Sequence, residues 1–280
     1  MTTINRLSRC KPLLGTYVEV ELSGALTDAE LLRASQLVFL RIEAVHQAMS
    51  FHCGDSELTR INRQAYQSAM TISDELRSVL EQGLLLSQAS AGLYDLTVGG
   101  RLVVQGQLPD HGFMIDEQAS WQDIELDGSR LRFHKPLVLD LGGIAKGYAV
   151  DEAFGALEPL MDRLCVTINA GGDLRMSDWR GQSVGIKSPA NPEQLQVVAM
   201  QDAALASSAC YYQEHGSVIY SPASRDALQS ENSISVFAPN CMLADALTKI
   251  AFLDAHSGTL IRQMGGKAYV LKPSGQFSVL

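Results

Sequence analysis

The chain has 280 residues, 46% hydrophobic and 19% charged, which excludes a disordered or collagen-like chain and leaves enough apolar mass for a sizeable core. Its 22 Lys and Arg against 31 Asp and Glu give a net charge of −9. Such a surface repels phosphate backbones and argues against a general nucleic-acid binder, while leaving room for a local basic pocket. No window approaches the roughly 18 uncharged apolar residues that a membrane helix needs, so no membrane insertion is expected. The opening MTTINRLSRCKPLLGT is basic but has no apolar stretch behind it, unlike a secretory leader. The five cysteines, Cys10, Cys53, Cys165, Cys210 and Cys241, are widely spaced and form no CxxC pair. They read as buried or half-buried free thiols, Cys53 being the exposed one, and fit a reducing cytoplasm.

In chain order, Thr16–Leu22 alternates as a strand does. Thr27 and Glu30 form a capping box that opens a helix to about Met49, with Leu32, Leu37, Leu40 and Val45 at roughly helical spacing. A turn-rich loop at 51–56 leads into a short helix from Ser56 to Ile61. Ser73 caps a helix from Asp74 to Ala89, ended by Ser90-Ala91-Gly92. YDLTVGG at 94–100 reads as a compact loop and 101–123 as irregular. Ile124–Leu126 and Arg130–Phe133 make a hairpin around Asp127-Gly128. Pro136–Asp140 reads as a strand, Ala145 to about Leu157 as a helix, and Cys165–Asn169 as a buried strand. Further strands are expected at 184–186, 195–200, 205–208, 217–220, 233–237, 265–270 and 277–280, with an apolar helix at Cys241–Leu253. Strands and helices mix without a βαβ rhythm. The expected fold class is therefore α+β, in one interwoven domain over residues 1–280.

Three glycine and aspartate turns carry chemistry. In Asp140-Leu141-Gly142-Gly143-Ile144-Ala145-Lys146-Gly147 a strand delivers Asp140, and two glycines open a helix whose free N–H groups suit a phosphate. Lys146 in the first turn opposes the helix dipole, which favours an anion nearby, or it is a solvated lysine beside a tight turn. Asn169-Ala170-Gly171-Gly172-Asp173 repeats the theme. It is a turn in which Asp173 bonds its own backbone, or a close approach to a bulky ligand. In the third, Tyr94 suits a planar ring and Asp95 accepts hydrogen bonds; the alternative is a plain loop. Asp245 and Thr248 share one face of the last long helix, where both can offer oxygen to Mg²⁺. Lys249, four after Asp245, can pair with it instead.

Taken together, LLGTYVEV at 13–20, MSFHCGDSELTRIN at 49–62, AGLYDLTVGG at 91–100, LDLGGIAKGYAVDEA at 139–153, INAGGDLR at 168–175 and SVFAPNCMLADALTKIAF at 235–252 resemble the ApbE family of FAD:protein FMN transferases. The resemblance implies one α+β domain that takes FAD as substrate and Mg²⁺ as cofactor. It implies attachment of FMN through a phosphoester to a Thr or Ser of a target flavoprotein, with release of AMP. By family position Leu14, His52, Leu93, Tyr94, Asp95, Asp140, Lys146 and Ile219 fall in the flavin site. Gly143, through its carbonyl, Asp245 and Thr248 fall at the metal, and Asp245 is the catalytic residue. The sequence departs from the family in four places. Lys249 stands where the family has threonine, with Thr248 one residue early. YDLTVGG replaces FDPTVGP, a TSG segment is altered near Ser207-Ser208-Ala209, and 217–222 lacks the His and Asp of HIIDP. A noncatalytic flavin-binding or scaffold protein and an FAD pyrophosphatase are the alternative functions.

Overall fold

A computed structural model describes residues 3–191, 193–209, 219–220, 227–228 and 230–280, the two short pairs by their backbone alone. The fold class is α+β, as expected. The chain divides into two compact units, one of Met1–Glu43, Lys146–Ile219 and Gln229–Leu280, the other of Ala44–Ala145 and Tyr220–Leu228.

The first unit is built on an eight-stranded antiparallel sheet. Its strands are Asn5–Leu13, Thr16–Gly24, Leu164–Ala170, Asp173–Met176, Ala204–Ala209, Ser233–Ala238, Lys267–Leu271 and Phe277–Val279, and they neighbour one another in chain order. Thr16–Gly24 shows the period of two plainly: Val18, Val20 and Leu22 are buried, while Tyr17, Glu19 and Glu21 face solvent. Leu164–Ala170 alternates in the same way, so it is half-buried rather than fully buried, and Cys165 is exposed. Cys10 is exposed too; only Cys241 among the described thiols is fully buried. The edge strand Asn5–Leu13 was not legible because NRLSRCKPL lacks an apolar alternation. Charges and a proline are what an edge strand carries. Ser233–Ala238 is buried at all six positions, and the helix Cys241–Leu253 packs on it and on Ala204–Ala209.

The capping box at Thr27 and Glu30 is formed: the Thr27 N–H donates to Glu30 Oε2 at 2.8 Å and the Glu30 N–H to Thr27 Oγ1 at 3.3 Å. The expected apolar face of the helix Asp28–Met49 is corrected. Leu31, Ala34, Val38, Phe39, Ile42 and Val45 are buried, whereas Leu32, Leu37 and Leu40 are exposed.

The second unit holds the helices Glu57–Gln64, which Ser56 caps and which runs past the expected end at Ile61, and Asp74–Ala89, capped by Ser73 as expected, and a three-stranded sheet of Met70–Thr71, Arg130–Phe133 and Ile124–Asp127. Gly99–Val104 is a short helix where loop was expected; its two leading glycines hide the helical tendency of the residues after them. Pro136–Asp140 is not a ladder strand. Its single β-bridge joins Val138 to Val98 in parallel. The buried Asn62 amide does the work of a neighbouring strand, donating to the Leu139 carbonyl at 2.9 Å and accepting from the Leu139 N–H at 2.8 Å. The 3₁₀ turn Trp121–Asp123 and the helix Gly258–Gln263 also escaped the sequence reading.

Candidate functional site

In the first unit the helix Cys241–Leu253 is fixed at its N-terminus by two side chains. Asn240 Oδ1 accepts from the Leu243 N–H at 2.9 Å. The Asp151 carboxylate accepts from the N–H groups of Cys241 and Met242 at 2.9 and 2.8 Å, and from Arg175 Nη1 at 2.6 Å. A carboxylate at this end also opposes the positive pole of the helix dipole. The helix so held presents Asp245 and Thr248, both completely buried.

Lys249 settles which way that face is used. Its ammonium donates to Asp245 Oδ1 at 2.6 Å, to Thr248 Oγ1 at 3.0 Å and to Ser208 Oγ at 3.1 Å. The other Asp245 oxygen accepts from the Gly147 N–H at 3.2 Å. Gly147 has to be glycine for this approach: a Cβ there would lie 2.3 Å from the Cys241 carbonyl oxygen. Lys146, beside it, is ion-paired with Asp173 Oδ2 at 2.9 Å, at an angle outside hydrogen-bond geometry, so that oxygen has no hydrogen-bond donor. Asp173 thus pairs with a lysine instead of bonding its own turn. The pair joins two residues that the sequence singled out separately, Lys146 and Asp173.

The charges sort themselves by environment. Burial raises the Asp173 carboxyl and the Asp245 charge raises it further, against the two lysines, to about 7. Asp245 is held below its ordinary value because Lys249, Lys146 and the Gly147 N–H outweigh its desolvation. Burial lowers the Lys146 ammonium, but the charges of Asp173 and Asp245 outweigh it and hold it above the ordinary lysine range. Burial, with three carboxylates nearby, pushes the Cys241 thiol well up, which makes it an inert packing group. Leu14, also in this unit, sits at the hairpin turn between the first two strands with φ 56°, a left-handed conformation rare for leucine.

In the second unit Tyr94 is buried, Leu93 half-buried and His52 exposed. Asp95 Oδ1 accepts from the Thr97 N–H at 2.8 Å and from Thr97 Oγ1 at 2.7 Å. Burial raises the Asp95 carboxyl despite those donors. Asp140 is tied to the same segment, its N–H donating to the Leu96 carbonyl at 2.9 Å while its Oδ1 accepts from Gly142 N–H at 3.2 Å. Gly143 lies half-buried in that turn. The third glycine turn is thereby joined to the 138–140 segment. Ile219 lies in the two-residue strand Ile219–Tyr220, and its side chain falls outside the described residues, as does most of 217–222.

Asp151, Ser208 and Gly147 carry parts of this centre that the sequence reading did not assign. Gly147 had a signal, a glycine inside a helix next to a lysine. Asp151 and Ser208 had none, since their partners lie far away along the chain. The donors implied for Mg²⁺ do not fit that ion: Asp245 and Thr248 already hold the Lys249 ammonium. Among the described residues no group of three or more His, Cys, Asp or Glu is arranged to hold a metal.

An antiparallel α+β sheet of this kind has solved counterparts. The chain superposes on the ApbE protein of Thermotoga maritima with a TM-score of 0.84 at 19% identity, over 98% of this chain and 97% of that one. In sequence it is 24% identical to an FAD:protein FMN transferase of Treponema pallidum, over 94% of this chain and 83% of that protein. It is 27% identical to one of Haemophilus influenzae, over 81% and 75%. Residues 14–270 match the ApbE family. The chain belongs to the ApbE family.

Proposed function

We propose that residues 1–280 act as one FAD:protein FMN transferase domain. The observation that carries this is the family match over residues 14–270 together with relatives named for that activity. FAD is the donor substrate and a Thr or Ser hydroxyl of a target flavoprotein the acceptor. The hydroxyl oxygen bonds to the phosphorus of the FMN half, the bond from that phosphorus to the bridging oxygen breaks, and AMP leaves with that oxygen. The hydroxyl proton passes to solvent. Charge is what the pyrophosphate needs. Lys146 supplies it, fixed against the buried Asp173. Asp245, whose carboxyl is held low, orients Lys249 rather than taking the proton. Tyr94, Asp95 and Asp140 are assigned to the flavin nucleotide, with His52, Leu93, Leu14 and Ile219. Asp245 is already paired with Lys249, so this reading assigns no Mg²⁺ to Asp245. A cytoplasmic site of action belongs to the same proposal, and the free thiols at Cys10, Cys53, Cys165 and Cys241 support it. Among the described residues no helix is long and apolar enough to cross a membrane.

A flavin-binding protein without transfer activity is the second reading, favoured by the lysine in the metal position. Co-expression with the host's flavoproteins, followed by in-gel flavin fluorescence and chromatography of nucleotides, separates the two. A covalently fluorescent band and AMP mark the transferase. Bound FAD released intact marks the second reading, and FMN with AMP but no labelled protein marks a pyrophosphatase.

A further inference from the structure

We infer that the Lys249 ammonium is the resident cation of the Asp245 centre, seated where a divalent metal would otherwise sit, and that the chain binds FAD without a metal. The first ground is the count of donors and lone pairs. A lysine ammonium has three N–H donors, and Asp245 Oδ1, Thr248 Oγ1 and Ser208 Oγ take all three. Thr248 gives its own proton to the Asp245 carbonyl at 2.6 Å. Of the two hydroxyls 2.7 Å apart, Ser208 is therefore the donor to Thr248. Thr248 Oγ1 then accepts from Ser208 and from Lys249, which uses both of its lone pairs. Asp245 Oδ2 is engaged by the Gly147 N–H. Every N–H and O–H donor of the network is used within it, and each Asp245 oxygen already accepts one hydrogen bond.

The second ground is charge. Asp173 and Asp245, 1% and 0% exposed, face Lys146 and Lys249. Two carboxylates and two ammoniums sum to zero, and protonation of Asp173, whose carboxyl lies at about 7, only makes the set more positive. A divalent ion added to that set would leave two uncompensated positive charges in a low-dielectric interior, at large desolvation cost. The third ground is reach. The cation is delivered by a residue four positions after Asp245 on the same helix, and Ser208 comes from the neighbouring strand, so helix and strand together build the seat.

The metal-free seat is a property of the chain; only the claim about FAD rests on the flavin-transferase reading. The test uses the full chain, with Mn²⁺ as the spectroscopic probe and Mg²⁺ in thermal unfolding. The wild type is expected to leave Mn²⁺ free in solution and to melt at the same temperature in millimolar Mg²⁺ as in EDTA. One Mn²⁺ bound per chain, or a melting point raised several degrees by Mg²⁺, overturns the proposal. Lys249→Thr opens the seat and is expected to gain Mn²⁺ affinity by about tenfold or more, with a melting point that now depends on Mg²⁺. An unchanged Mn²⁺ titration in that variant overturns it as well. Lys249→Met, of similar length and uncharged, gives the same comparison if the threonine variant does not fold. Flavin fluorescence quenching separates the two levels. FAD bound equally in EDTA and in Mg²⁺ supports the proposal, and FAD bound only with Mg²⁺ overturns it with the flavin reading intact. FAD bound in neither overturns the flavin reading while the Mn²⁺ result still decides the seat.

Discussion

Leu14 and Asp173 show how single side chains in the first unit depart from the lowest-energy choice. Leu14 holds φ 56° at a hairpin turn that asparagine or glycine fills more easily. Leu14→Asn is therefore expected to keep or raise stability, by about 1 kcal/mol. If the leucine side chain touches flavin, the same variant loses FAD affinity; a melting curve and an FAD titration measure the two effects separately. Asp173 carries a different strain. An unfolded aspartate titrates near 3.8 and the folded one near 7, so between those values the folded state binds more protons. Stability is then lost as pH rises through that window, the reverse of a salt-bridged acid whose carboxyl is lowered. Asp173→Asn removes the titration. Urea unfolding at pH 5 and pH 7.5 should show the wild type losing ground to the variant at the higher pH; parallel curves would count against the raised carboxyl. The sequence placed Asp173 in a glycine turn, but a pairing with Lys146, 27 positions earlier, is not a local property. Asp245 and Lys249 were legible because they lie one helical turn apart.

Two helices, Ala145–Gly155 and Cys241–Leu253, set the geometry of the centre by touching backbone to backbone at Gly147. In Gly147→Ala the new methyl would meet the Cys241 carbonyl at 2.3 Å, so the helices must part. The expected cost is about 2 kcal/mol, with loss of the Gly147 N–H contact to Asp245. Asp151 secures the same helix pair from the other side. Asp151→Asn leaves Arg175 without its carboxylate and weakens two N-terminal hydrogen bonds, at an expected cost of about 3 kcal/mol. Denaturant unfolding measures both; a loss under half a kilocalorie for either would show that the helices are held by something else. Element by element, the caps at Thr27 and Ser73 and the turn at Gly128 were readable because each is encoded within four residues. The edge strand Asn5–Leu13 and the segment Pro136–Asp140 were not. One carries no apolar period. The other is extended and apolar like a strand, yet its backbone is satisfied by Asn62, 77 positions earlier.

At the scale of the whole molecule, the α+β class followed from the lack of a βαβ rhythm, and the family resemblance followed from motifs spread over most of the chain. The partition into two units was not legible, since no composition shift marks it and the first unit is assembled from three separate stretches. That assembly has a consequence for truncation. The sheet of the first unit neighbours its strands in chain order, so Ser233–Ala238, Lys267–Leu271 and Phe277–Val279 form one end of it, and the helix bearing Asp245 packs on Ser233–Ala238 and Ala204–Ala209. A chain ended at residue 228 leaves Ala204–Ala209 with an open edge where Ser233–Ala238 paired. It also removes Phe237 from the cluster it forms with Met200 and Leu205, stripping apolar cover from both. Lys146 and Asp173 would keep each other but lose Asp245 and Lys249. Such a chain is expected to bind a hydrophobic dye and to lose the cooperative transition of the first unit. Hydrogen exchange would then show amides of Thr16–Gly24 and Leu164–Ala170 unprotected. Protection of those two strands at wild-type level in the truncated chain would mean that the first five strands form a stable sheet alone, and that the C-terminal segment adds the centre without being needed for the fold.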